Sequence, residues 1–409
     1  MSECRYIRAE ENPQAIRLSF LCFLSVMDED LAKKLDSTDE DSKEEREEDY
    51  KLKFGHFNDD GVLDACVSLL DFKVKFDGHD VGMVGVQGVI SAPETRGSGA
   101  VTKLLNKSLR MIKEQGNIFS GLYPFSYSFY RRFGYELAYQ KKTAVIPVRT
   151  LSAHKFPKNQ VKHVIYDEKK PDSIAEIRKV YENFSSGRNH AIVRDDERWN
   201  EMLEGDPYQT RKNLYLIYNK NSEPCAYVFL HPGHKPDDDK AELIISELAY
   251  TDKQSLYDTF GFLAGLSPQF GEVKITSDLD FQAIFPEAWD VSVSVAPSVM
   301  WRVIDVEKAV ELMRPPESVE RGAFVMEIRD DNLEENSGKY LVNWENGKVG
   351  ISRTNQTPAL ITSIQGFTQL ATGFLTPEQI IYRKDTELTP DKNVSAFFYK
   401  KPLYIWEHF

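Results

Sequence analysis

The sequence predicts an α+β protein of three units, the first two built alike. A strand pair running into a glycine loop and an amphipathic helix stands near residue 100, and the same order of elements returns after residue 170 without the glycines. Past residue 290, short strands come first and helices follow, the pattern of a layered α+β unit. A chain of 409 residues is also too long for one core and divides into two or three domains.

The first unit is expected over residues 1–150. Phe72, Val74 and Phe76 alternate with Asp71, Lys73 and Lys75, the period of a half-buried strand. Asp77-Gly78 is a hairpin signal, and Val81 to Ile90 supplies the return strand. After Pro93 and the glycines, Val101, Leu104, Leu105, Leu109 and Ile112 share one helical face, with Gly116 as the stop. Phe119 to Tyr123 reads as the next strand, and Phe125 to Phe133 as a short helix ended by Gly134.

The second unit is expected over 151–290. Ile174 to Phe184 is helical, Leu214 to Tyr218 and Ala226 to Leu230 form a hairpin about Asn221-Ser222, and Leu243 to Ala249 is a strand. Ser255 to Leu266 is then a helix and Val273 to Thr276 another strand. Between strand and helix stand Tyr250 to Gln254 in place of glycines, so this unit reads as a copy without a cofactor loop. The third unit, 291–409, offers strands at Phe324–Ile328, Tyr340–Trp344, Val349–Ser352 and Ala359–Ile364. Helices follow at Phe367–Ala371 and Pro377–Tyr382. Its aromatic tail, Leu403 to Phe409, predicts a docked end, since tails are ordinarily polar and frayed.

Composition narrows the function. No run of about 18 apolar residues predicts a membrane span, and the charged start lacks a signal peptide's apolar stretch, so a cytoplasmic protein is expected. Four scattered cysteines with no CxxC pair predict neither a zinc site nor a disulfide framework. A net charge of −13 disfavours nucleic acid and anionic lipid as partners and favours a cationic substrate. The densest acidic stretch, Asp36 to Asp49, reads as a solvated loop or helix end. His231, His234 and Asp237 to Asp239 superficially resemble a metal cluster but stand among turn residues, and no metal is expected. Asn189-His190, near Arg188 and Arg194, forms no readable pattern.

The chemistry concentrates in Val84 to Leu105, VGVQGVISAPETRGSGAVTKLL. A strand entering Arg96-Gly97-Ser98-Gly99 and leaving as a helix makes a pyrophosphate cradle. Without side chains at 97 and 99, backbone N–H groups approach phosphate oxygens, and the helix N-terminus adds positive charge. A nicotinamide-type site fits less well, because the loop lacks the full GxGxxG and follows an antiparallel strand. Next comes Leu122 to Glu136, LYPFSYSFYRRFGYE, with Tyr123, Tyr127, Tyr130 and Tyr135 all candidates to line one pocket.

An APExRGxG loop followed by YxxFGY resembles the GNAT N-acetyltransferases, and LYPFSYxFYRRFGYE resembles the enhanced-intracellular-survival (Eis) family among them. The resemblance implies two tandem GNAT domains, the second degenerate, and a sterol-carrier-protein-like third domain that delivers the C-terminus to the active site. It implies acetyl-CoA as donor, held by Arg96, Gly97, Gly99 and Thr102, with Gly88 and Val89 binding the thioester carbonyl and pantetheine arm. It makes Tyr130 the general acid and the Phe409 carboxylate the base or amine anchor. A phenol can protonate a departing thiolate, and a carboxylate can hold and orient an ammonium. The implied acceptor is an aminoglycoside-like or other multi-amine small molecule, and the implied assembly a homo-hexamer. Two alternatives stay open: acetylation of protein lysines or N-termini, and a non-catalytic lipid or ligand carrier.

Overall fold

A computed structural model describes residues 2–36, 49–154, 160–165, 172–234 and 240–408. Most of the acidic stretch, Asp237 to Asp239 and Phe409 lie outside the described residues. Three mixed sheets organise the chain, two of seven strands and one of five.

The first sheet holds β1 (Glu3–Tyr6), β2 (Lys53–Phe57), β3 (Leu63–Phe76), β4 (His79–Ser91), β5 (Phe119–Leu122) and β6 (Glu136–Leu137), joined by β14 (Met300–Val303) between β5 and β6. Asp77 and Gly78 both have positive φ, +47° and +82°, so the β3–β4 turn follows the right-handed twist of its strands. Helices α1 (Asn12–Phe23) and α2 (Glu29–Asp36) separate β1 from β2, and α3 (Ala100–Glu114) crosses from β4 to the parallel β5. α3 buries Leu104, Leu105, Leu109 and Ile112 on the sheet, and Gly116 at φ +84° ends it. The short helix α4 (Tyr127–Arg131) starts where Ser126 Oγ accepts the Phe129 N–H.

The second sheet holds β7 (Gln140–Pro147), β8 (Val161–Val164), β9 (Asn213–Tyr218), β10 (Pro224–Pro232), β11 (Ala241–Tyr250), β12 (Phe270–Thr276) and β13 (Ser292–Pro297). α5 (Asp172–Ser185) and α6 (Asp196–Leu203) cover one face, and α7 (Lys253–Ala264) crosses from β11 to the parallel β12. Both sheets repeat one plan: two hairpin-linked antiparallel strands, a helical crossover to a parallel strand, then an antiparallel neighbour. That neighbour is exchanged. β14, past the second unit in sequence, lies beside β5 of the first, and β7, at the end of the first 150 residues, lies beside β12 of the second. Strand membership therefore crosses both boundaries read from the sequence, at 150 and at 290.

The third sheet holds β15 (Arg321–Arg329), β16 (Gly338–Glu345), β17 (Lys348–Arg353), β18 (Leu360–Ser363) and β19 (Glu387–Leu388), in the order β17-β16-β15-β18-β19. Helices α8 (Val306–Leu312) and α9 (Ile364–Ala371) lie between it and the first sheet. Its inward residues share one core with the first sheet: Phe324, Met326 and Phe367 belong to the same buried cluster as Phe76, Phe119 and Trp301. The apolar face of the third unit is thus covered by the first.

Residues 189–193 stitch the units together. The far half of β3 runs beyond β2, and this segment takes its edge, with Lys75 N–H donating to Ala191 O and Val193 N–H to Lys73 O. His190, at φ +71°, is fully buried with its ring stacked 3.8 Å from that of Trp301. Burial, with Lys401 adding, pushes its pKa down from 6.5 to about 3. The unfolded chain takes up a proton below pH 6.5 that the folded one refuses, so this contribution to stability is complete above 6.5 and drains as the pH falls toward 3. Denaturant titrations should show stability falling by up to about 1.4 kcal/mol per pH unit through this window from this one group. His190→Phe should be less stable at neutral pH, through its left-handed backbone, yet shallower in slope by one proton; an unchanged slope removes His190 from the titration.

Candidate active site

The cradle forms as its residue types require. Gly97 and Gly99 both have φ +88°, a conformation costly for any other residue, and a Cβ built on either meets nothing within 4 Å. The glycines are needed for backbone shape, and the space above them is open. Ala100 N–H bonds to Ser98 Oγ at 3.3 Å, whereas the amides of Gly97, Gly99, Val101 and Thr102 make no backbone hydrogen bond to a described residue. These amides and the α3 N-terminus face a cavity of about 400 Å³ lined by Arg96, Thr102, Phe129 and Arg132 among others. Arg96 is exposed, its guanidinium 3.4 Å from the Cys22 carbonyl oxygen.

Beside the cradle the sheet splays. β4 pairs with β5 only from Met83 to Gly85 and then parts from it. On its other side Gly88 and Val89 stand opposite the single Val67, a bulge that Gly88 permits with φ +59°. The last turns of β4 therefore present unpaired main chain toward the gap. Gly88, Val89, Arg96, Gly97, Gly99 and Thr102 line one continuous edge from splay to helix, and these residues fit a CoA thioester: pyrophosphate over the amides, extended arm along β4.

Tyr130 sits at this gap's far side. It is 3% exposed, packed edge-on against Phe125 and Phe129, and its hydroxyl has no hydrogen-bond partner among the described residues. Burial, with Tyr135 adding, raises its pKa above the ordinary 10, so it stays a neutral proton donor. The other tyrosines of the segment are engaged: Tyr135 with Ser120 Oγ at 2.7 Å, Tyr127 with the Ser298 carbonyl at 2.8 Å, and Tyr123 with the Glu407 carbonyl at 2.8 Å.

The turn carrying Tyr130 is held by groups remote in sequence. Buried Arg302 on β14 donates to the Phe133 carbonyl at 2.6 Å and to both oxygens of Asp330 at 2.8 Å. Gly134, at φ +80°, leaves the room, since a Cβ there would lie 1.3 Å from the Arg302 guanidinium. Gln365 and Gln369 of α9 donate to the carbonyls of Arg131 and Leu137, both at 2.8 Å.

The tail reaches the same place. Asn189 N–H donates to Pro402 O and Tyr404 N–H to Asn189 O. Glu407 then bonds to Arg194 at 2.5 Å, and the His408 ring lies 4.7 Å from that of Tyr123, at the end of β5. Phe409 falls outside the described residues, so the structure brings the tail to the site as far as His408. Arg194, Glu247 and Glu407 went unread in the sequence. An arginine in a stretch with no pattern was the only local signal.

The second unit keeps the splay and loses the cradle. β11 parts from β12 after Ile245, and its register shifts opposite Phe229 and Leu230. At the α7 N-terminus, however, Asp252 accepts the Ser255 N–H at 2.8 Å in a capping box. A carboxylate fills the place a pyrophosphate would take. In the first unit, Gly99→Ala should cost about 1–2 kcal/mol of local strain and weaken acetyl-CoA binding about tenfold by calorimetry; unchanged affinity would detach this loop from the donor.

Residues 3–138 match a model of an acetyltransferase (GNAT) domain, 191–303 a second such model, and 306–388 a sterol carrier protein domain. No curated protein matches the chain. Among solved structures it resembles a GCN5-related N-acetyltransferase from Anabaena variabilis, with TM-score 0.81 and 21% identity over 100% of both chains. It also resembles a conserved protein of unknown function, a probable N-acyltransferase, from Enterococcus faecalis, with TM-score 0.82 and 21% identity over 100% of both. Eis1 from Mycobacterium abscessus gives TM-score 0.78 and 16% identity, again over 100% of both. At these identities the likeness is one of fold, and the domain models add the donor class, since GNAT domains take their acyl group from acyl-CoA. The chain thus carries two GNAT acetyltransferase domains followed by a sterol carrier protein domain, and shares its overall fold with Eis1.

Proposed function

We propose that the first GNAT domain moves acetyl from acetyl-CoA to primary amines of a cationic, multi-amine small molecule, in a direct ternary complex. The observation that carries this reading is the convergence of the open amide cradle, the β4–β5 splay, Tyr130 and the docked tail at one end of β5. Gly97, Gly99 and Thr102 would bind the pyrophosphate with Arg96 as counter-charge, and the main chain of Gly88 and Val89 the pantetheine arm and thioester carbonyl. The amine attacks the thioester carbon, the carbon–sulfur bond breaks, and the neutral Tyr130 hydroxyl protonates the leaving thiolate. The terminal carboxylate, on Phe409 in this sequence, orients the ammonium and accepts its proton; that role comes from the family resemblance and is supported by the tail's course through His408.

A net charge of −13 supports a cationic acceptor. The shared core of the first and third domains supports a scaffolding third domain over a lipid carrier. No helix among the described residues is long and apolar enough to cross a membrane. The homo-hexamer belongs to the same proposal and rests on the resemblance.

Release of CoA thiol from acetyl-CoA should be fast with aminoglycosides or polyamines; release with lysine peptides alone would move the assignment to protein acetylation. Tyr130→Phe should lower kcat about 100-fold or more while acetyl-CoA binding stays nearly intact, and equal activity would remove Tyr130 from the mechanism. A peptide tag appended after Phe409 should impair turnover comparably, and a harmless tag would sink the carboxylate role.

A further inference from the structure

The proposed reaction uses the first domain and the tail, and leaves the second GNAT domain without a task. We propose that its Arg194–Glu247 pair is a positioning device for the first domain's reaction: it grips Glu407 and so fixes the register in which the tail enters the active site. The proposal rests on the reading that the tail takes part in the chemistry.

Arg194 has 1% of its side chain exposed. One edge of its guanidinium meets Glu247, with Nη2 at 2.7 Å from Oε1 and Nη1 at 3.3 Å from Oε2. Its Nε donates to Glu407 Oε1 at 2.5 Å. Its centre lies 4.0 Å from the Tyr181 ring and 4.9 Å from that of Trp199, two rings that meet edge to face beside it. Tyr404 and Tyr227 donate to Glu247 Oε1 at 2.7 and 3.2 Å. The outer edge of the guanidinium is thus taken by Glu247, and its Nε by Glu407 of the tail.

The charges show that this is not a device for stability. One guanidinium faces two carboxylates in a buried site, an excess of one negative charge that well-packed apolar residues would avoid. What such a cluster supplies is registry, because a planar fork accepts a carboxylate in few geometries. The clamp also meets the tail where registry counts. The Glu407 side chain is held by the second domain and its carbonyl by Tyr123 of the first. A slip of one residue at Glu407 moves whatever follows it by about 3.5 Å, more than the span of a hydrogen bond.

The clamp's place in the fold explains why this domain carries it. Glu247 lies two residues beyond the last β11–β12 pair, Ile245 with Ile275. Gln87 lies two residues beyond the last β4–β5 pair, Gly85 with Gly121, and is exposed beside the splay. The equivalent strand position, beside the open cleft in the catalytic copy, has become a holder for the tail in the copy that lost its phosphate loop.

The test uses full-length protein, acetyl-CoA and neomycin as the amine probe, with Arg194→Met, Glu407→Gln, a deletion of residues 407–409, and the deletion combined with Arg194→Met. Carboxypeptidase trimming of the tail, which needs no acceptor, and thermal melting are read alongside. Arg194→Met should lower kcat about 100-fold, leave the acetyl-CoA KM unchanged and speed trimming, and it should add no further loss on top of the deletion. Glu407→Gln keeps an acceptor and loses the charge; it should fold normally, lose about tenfold in kcat and trim faster, which keeps the test alive if Arg194→Met fails to fold. Normal kcat and trimming in Glu407→Gln, or an additive loss in the combined variant, overturns the positioning role. If the deletion abolishes turnover and Arg194→Met does not, the positioning proposal falls while the tail mechanism stands. A harmless deletion removes the tail from the chemistry and takes this proposal with it.

Discussion

At the tip of the β3–β4 hairpin the Asp77 carboxylate is buried and accepts from three other parts of the chain. Asn189 donates from the second domain at 3.1 Å, the Arg314 N–H from the start of the third at 2.8 Å, and Lys401 Nζ from the root of the tail at 2.5 Å. Lys401 is itself buried, and burial lowers its pKa while Asp77 opposes the shift. Neither charge is tolerable without the other, so the three domains close around this pair together. Gly78 is part of the same bargain, since a Cβ there would press on the Arg314 guanidinium at 2.7 Å. From Lys401 onward the tail has one course, along residue 189 and past Arg194 to Tyr123.

The sterol carrier fold serves here as a buttress. Its sheet and helices fill one face of the first sheet, and its polar side chains hold the segment from Arg131 to Leu137 at several points. Arg383 adds to the grip by reaching Glu136 at 2.8 Å beside Arg131. Tyr130, the proposed general acid, therefore stands on a turn whose backbone carbonyls are bonded by side chains 232 to 234 residues downstream. Preorganisation of this kind is what a site needs when positioning supplies much of the rate.

What the sequence revealed was local. The glycine loop, the α3 face, the hairpin at Asp77-Gly78 and the YxxFGY turn each depend on neighbours within a few residues, and each is legible from spacing. The role of Gly88 came from family resemblance, because a glycine in a strand has several meanings. The strand exchange was illegible: β7 alternates in a way that suits either sheet, β14 is four residues buried throughout, and no residue in them names its partner. Arg194, Glu247 and Glu407 lie far apart in sequence, so their mutual compensation leaves no periodic trace. α1 and α2 escaped for another reason. In α1, Leu21 and Phe23 are exposed, which blurs the apolar stripe that marks a packed helix, and α2 is a short helix of eight residues.

The exchanged strand also sets a schedule for synthesis. The first sheet has a vacancy between β5 and β6 until Met300 to Val303 have emerged from the ribosome, and Trp301 must arrive before its shared core can close. Domains ordinarily fold in turn as they leave the tunnel. Here the first-made domain waits for the second to be finished, with the edge of β5 open in the meantime. The nascent chain is thus most exposed to wrong pairing midway through translation, and its first domain is completed together with its neighbours rather than ahead of them.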